Sequence, residues 1–118
     1  FPDVRFQPAS VLITRVVSRC HDDRLTLDAG NKSVASDPPF GTRLFFPDLP
    51  HAEHLIHNEE HLVLKTDLAV NYQPGDVLMA IPRHACPTSA LHQSAYIVRG
   101  GKVVGQWAVT ARDRKISI

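Results

Sequence analysis

The chain has 118 residues, 43% of them hydrophobic, a formal net charge of +1 and only two cysteines. That length holds one domain with a single core and leaves no room for a second, and a near-neutral charge without a basic stripe argues against nucleic acid or an anionic membrane as partner. No apolar run approaches the ~20 residues of a membrane-spanning helix, no signal-peptide pattern is visible, and Cys20 and Cys86 cannot make a disulfide framework, so a reduced, cytoplasmic chain is expected. Opening on Phe1-Pro2-Asp3 without an initiator methionine, the sequence reads as a piece of a longer protein.

Nine prolines and six glycines cut the chain into short apolar segments, and no twelve-residue window sustains a helical stripe. Residues 11–18 are rich in β-branched side chains and residues 24–28 alternate, which predicts a hairpin turning at Asp22-Asp23. Asp28-Ala29-Gly30-Asn31-Lys32 is a tight polar turn and Asp37-Pro38-Pro39-Phe40-Gly41 a loop. Residues 61–66 predict a strand, and Pro74-Gly75-Asp76 turns the chain into another at 77–81. A short helical turn fits residues 89–92. Residues 94–99, the turn Gly100-Gly101 and residues 102–109 make the clearest hairpin. Short strands with turns every eight to twelve residues imply an all-β fold, an antiparallel barrel or sandwich with at most short helical turns.

The chemistry concentrates at Ile81-Pro82-Arg83-His84-Ala85-Cys86-Pro87-Thr88. In an extended segment side chains alternate, so His84 and Cys86 point the same way and make a half-site for a soft or borderline ion. The bland alternative is a small buried thiol beside a histidine bonded to backbone. His57-Asn58-Glu59-Glu60-His61 fits the letters of an inverted zinc-peptidase motif, which needs a long helix that the flanking residues do not supply. The ordinary reading is two strands joined by an Asn-Glu-Glu bend, with His51, His54 and His57 solvated. His61 adjoins an apolar run and two carboxylates, as a proton shuttle, a support for a metal ligand, or a partly buried histidine with satisfied hydrogen bonds. The charges of the 28–32 turn can tether a substrate or simply shape a turn, and Arg112-Asp113-Arg114 reads as a solvated cluster.

Taken in order, Asp28-Ala29-Gly30-Asn31-Lys32, Glu59-Glu60-His61, Pro74-Gly75-Asp76, residues 81–88 and Ala111-Arg112-Asp113-Arg114 resemble the C-terminal domain of the D-threonine aldolase and D-serine dehydratase-like family over nearly the whole chain. The resemblance implies a single C-terminal β domain, residues 1–118, of a fold-type III enzyme. In such an enzyme an N-terminal alanine-racemase-like barrel, absent here, binds pyridoxal phosphate. It implies a divalent metal, zinc in preference to manganese, on His84 and Cys86; His61, from its neighbours, is the candidate catalytic group. It further implies a D-β-hydroxy-amino acid substrate, a lyase reaction of D-threonine aldolase or D-serine dehydratase type, and a homodimer. Cys86 leans toward the dehydratase branch, some members carrying aspartate there. Lys32 does not match the cofactor lysine, so the isolated chain is expected to be silent, and its unpaired sheet edge invites self-association. The alternative is a non-catalytic β domain for dimerisation and active-site shielding.

Overall fold

Alternation along β1 (Leu12–His21) sets the architecture: Thr14 and Val16 are buried while Ile13, Arg15 and Val17 face outward. The computed structural model describes residues 7–113 and residue 115, so the opening Phe1-Pro2-Asp3 and Arg114 of the C-terminal cluster lie outside the described residues. β1 turns at Asp22-Asp23 into β2 (Arg24–Leu27), as its pattern predicts. β3 (Leu44–Phe45), β4 (Glu53–His57), β5 (Leu62–Lys65) and β6 (Val77–Pro82) complete an antiparallel sheet in the order β3-β6-β1-β2-β5-β4. The sheet curls into a half-barrel, so the all-β expectation holds, and the two-residue β3 is the element with no signal in the sequence.

Inside the curl, Leu25 and Leu27 of β2, Leu62 and Leu64 of β5, and Leu78 and Ala80 of β6 pack with Val16, Phe46 and Leu49. Each Leu withdrawn from water is worth about 2 kcal/mol before conformational entropy is charged against it. The outer face of the same sheet is also apolar, with Ile13, Val17, Phe45, Val77 and Met79 all exposed. After β6 the chain makes one short helix, α1 (Ala85–Ala90), and then β7 (Ser94–Arg99) and β8 (Lys102–Ala108), a hairpin that forms a separate two-stranded sheet. Among the described residues no helix is long and apolar enough to cross a membrane.

Candidate metal centre

Strand β6 delivers the residues of interest. Its inward side chains Leu78, Ala80 and Pro82 anchor it, and the Arg83 amide donates to the Arg43 carbonyl at 2.9 Å as the strand ends. His84 is still extended, at φ −121° and ψ 93°, but it is the residue that caps α1, and Cys86 lies inside that helix. The expectation of an extended His-x-Cys segment is therefore overturned, and the helical turn expected at 89–92 begins at Ala85 instead. Pro87 is compatible with a first turn, where its missing N–H would have no helical partner. Two hydroxyls bond back four residues, Thr88 Oγ1 to the His84 carbonyl and Ser89 Oγ to that of Ala85, each at 2.8 Å.

The two side chains nevertheless share a surface. His84 and Cys86 both border one open hollow of about 490 Å³, together with Asn31, Val34, Asp37 and Leu91. Both are exposed, and Cys86 and Cys20 are free thiols. An Asp37 carboxylate oxygen lies 2.5 Å from His84 Nδ1, with each side chain about half exposed. The loop carrying Asp37 is tied to α1 by Thr88, buried, whose hydroxyl accepts the Ala35 amide at 3.1 Å. His92 Nε2 donates to the Ser33 carbonyl at 2.8 Å. In sequence Asp37 is only part of a proline-rich loop; nothing local distinguishes it, because its partner lies 47 positions away. Imidazole and thiol on one solvent-open hollow suit a borderline cation with positions left for water or substrate. Among the described residues no cluster of three or more His, Cys, Asp or Glu could hold an ion, so the donors in this chain amount to a partial site.

A second turn backs the hollow. A Cβ at Gly30 would come within 2.2 Å of the Glu59 carbonyl oxygen, so only glycine lets the 28–32 turn press on the 58–60 turn. The Asn31 amide donates to the Asn58 carbonyl at 2.8 Å and the Lys32 amide to that of Glu59 at 3.0 Å. The charges of the turn serve the fold: Asp28 accepts from the Thr14 hydroxyl at 2.6 Å and the Arg15 amide at 2.7 Å, and Asn31 accepts from Arg43. Lys32 pairs with Glu60 at 2.5 Å, and that hydrogen bond raises the lysine pKa and lowers the carboxyl's. An amine held protonated in this way is a poor nucleophile, so Lys32 does not fit the role of a cofactor-binding lysine.

The histidines of the β4–β5 hairpin depart from expectation. His57 ends β4 in extended backbone and His61 follows an Asn58 turn, so the two do not share a helix face and the peptidase reading is removed. His61 is exposed rather than partly buried. His54, expected in solvent, is 8% exposed and packs edge-on against Phe46, while His57 is half-buried with Nδ1 3.4 Å from Arg43. An irregularity between His54 and Ile56 is the cause: it shifts the phase of β4, so that His54 and His57 lie opposite the inward-facing Leu64 and Leu62. Burial lowers the pKa of both histidines, and the Arg43 charge adds to the effect.

Residues 9–98 match the family described as "Putative serine dehydratase domain". The chain is 32% identical to a D-threonine aldolase from Arthrobacter over 108 residues, covering 91% of this chain and 28% of that enzyme. It is 30% identical to a protein of Mycobacterium tuberculosis named only as uncharacterized, covering 95% of this chain and 86% of that one. The crystal structure of D-threonine aldolase from Filomicrobium marinum superposes with a TM-score of 0.81 at 29% identity, covering 95% of this chain and 30% of that enzyme. A D-threo-3-hydroxyaspartate dehydratase, in its metal-free form with a cysteine replaced by alanine, superposes at 0.68 with 20% identity, over 83% of this chain and 31% of that one. The chain thus spans under a third of the enzymes it resembles and most of the mycobacterial protein. It belongs to the D-threonine aldolase and D-serine dehydratase-like family, as that family's C-terminal domain.

Proposed function

We propose that this chain is the metal-holding domain of a pyridoxal phosphate-dependent lyase acting on a D-β-hydroxy-amino acid, completed by an alanine-racemase-like barrel outside these 118 residues. The observation that carries the reading is the shared hollow bordered by His84 and Cys86. Support also comes from the dehydratase relative: a histidine and a cysteine two positions apart are the residues replaced in two of its solved variants, one of them described as metal-free. A divalent cation, zinc before manganese given the thiol, supplies Lewis acidity toward the substrate hydroxyl when bound. Cys86 serves as thiolate and His84 as neutral imidazole, so affinity falls as pH drops. His61 is assigned proton transfer, its turn abutting Asn31 at the edge of the hollow. Among the described residues none fits pyridoxal phosphate, which in the parent enzyme supplies the electron sink. The chain by itself is therefore silent, and its enzyme is a cytoplasmic homodimer. Aldol cleavage and dehydration both need the same hydroxyl activated, and the barrel chooses between them.

A cobalt titration followed by its thiolate charge-transfer absorption tests the assignment. The wild type develops the band and Cys86→Ala does not; equal retention of metal by both removes Cys86 from the site. A second reading, a non-catalytic domain for dimerisation and active-site shielding, is favoured by the exposed apolar side chains of β7 and β8, among them Tyr96, Val103 and Trp107. Metal binding lost in Cys86→Ala decides for the first reading.

A further inference from the structure

The bond between Asp37 and His84 is the last of three links between the 33–37 loop and the segment that runs from the N-cap of α1 to just past its end. Ser33 meets His92, Ala35 meets Thr88 and Asp37 meets His84. The loop advances two residues per link and the helical segment four, running in opposite directions. The middle link is made by a buried hydroxyl that bonds on both sides, to the Ala35 amide and to the carbonyl of His84 itself. The links at Ser33 and Ala35 thus hold the loop against the α1 segment and bring Asp37 beside His84.

Chemistry then restricts the imidazole. An ionised carboxylate only accepts hydrogen bonds, so the neutral ring facing it must carry its proton on Nδ1. We infer that Asp37 is a positioning residue that holds His84 in the Nδ1–H form and leaves Nε2 as the ring's only electron-pair donor toward the hollow. The inference rests on the metal reading for its use, but the tautomer itself does not depend on a metal. Carboxylate partners of this kind fix the orientation and raise the basicity of metal-binding histidines generally. In this chain the effect is magnified by the small number of ligands: with two protein donors, a ring that presents the wrong nitrogen loses half of the set.

The test uses the full chain, labelled with ¹⁵N, at a pH where imidazole is neutral. Two-bond proton–nitrogen correlation spectra without metal should show His84 protonated at Nδ1 in the wild type and in Asp37→Asn, whose amide oxygen still accepts. Asp37→Ala should revert to the Nε2–H form favoured by imidazole in water. Zinc chloride titrated into the same samples should bind about 10- to 100-fold more weakly in Asp37→Ala and close to wild type in Asp37→Asn. An Nε2–H tautomer in the wild type, or no change of tautomer in Asp37→Ala, overturns the inference. Equal loss of zinc in the two variants also overturns it, because the carboxylate is then itself a ligand. If the tautomer pattern holds but zinc perturbs neither His84 nor Cys86, the metal reading has failed and the positioning role of Asp37 stands.

Discussion

The half-barrel and the β7–β8 hairpin are built from the same kinds of residues and reach opposite ends. In β2 and β5, Leu25, Leu27, Leu62 and Leu64 are wholly buried, whereas in the hairpin Tyr96 is 71% exposed, Trp107 67% and Val103 65%. Both regions have well-formed antiparallel pairing, and the hairpin register runs from Ser94 opposite Ala108 to Arg99 opposite Lys102. Gly100 and Gly101 close it with φ of 54° and 74°, values that only glycine adopts readily. Alternation and turn residues therefore specify which strands pair, but not what covers them. A two-stranded hairpin is marginal alone in water, so its apolar surface is where this chain most needs a cover.

The largest expected effect separates the two regions directly. Leu27→Ala empties a buried site with no solvent access and should cost about 3 kcal/mol in urea unfolding. A cost under about 1 kcal/mol would mean that the half-barrel core is loosely packed and no different from the hairpin. Next comes Gly30→Ala, expected to cost about 2 kcal/mol because the new methyl must push the Glu59 carbonyl aside. It should also shift the Asn31 amide resonance, since Asn31 bonds to the displaced turn. An unchanged stability would show that the two turns are not pressed together in solution.

Pairing was legible because it is written locally, in β-branched runs and in Asp22-Asp23, Pro74-Gly75 and Gly100-Gly101. The ends of the elements were not. Cys86 sits before a proline, which reads as extended chain, yet it lies within α1, a helix that Thr88 ties to the Ala35 amide across the fold. The inward turn of His54 and His57 rests on one irregularity in β4 that leaves no mark in composition. Of the candidate site, His84 and Cys86 were visible as a pair, whereas Asp37 is brought to them only by tertiary structure.

A smaller effect follows from those buried histidines. Both have pKa values pushed below the ordinary 6.5, so the folded state resists a proton that the unfolded chain accepts. Above pH 6.5 they contribute nothing to the pH dependence, and as pH falls below it the unfolded state binds more protons and stability declines. Thermal melts should drop between neutral pH and the lowered pKa, and His54→Met should flatten that slope. A slope unchanged by the substitution would assign it to other groups.

Trp107→Ser is the smallest expected change and the one that most sharpens the contrast. With the indole two-thirds exposed and opposite only Ala95 across the hairpin, its removal should alter unfolding free energy by less than about 0.5 kcal/mol. Binding of a dye that fluoresces on apolar surfaces should fall at the same time, because the substitution removes surface without removing packing. A cost approaching that of Leu27→Ala, and rising with protein concentration, would mean that Trp107 is covered in solution by a second copy of the chain. The hairpin would then owe its stability to association, as an isolated two-stranded sheet must if it is to persist in water.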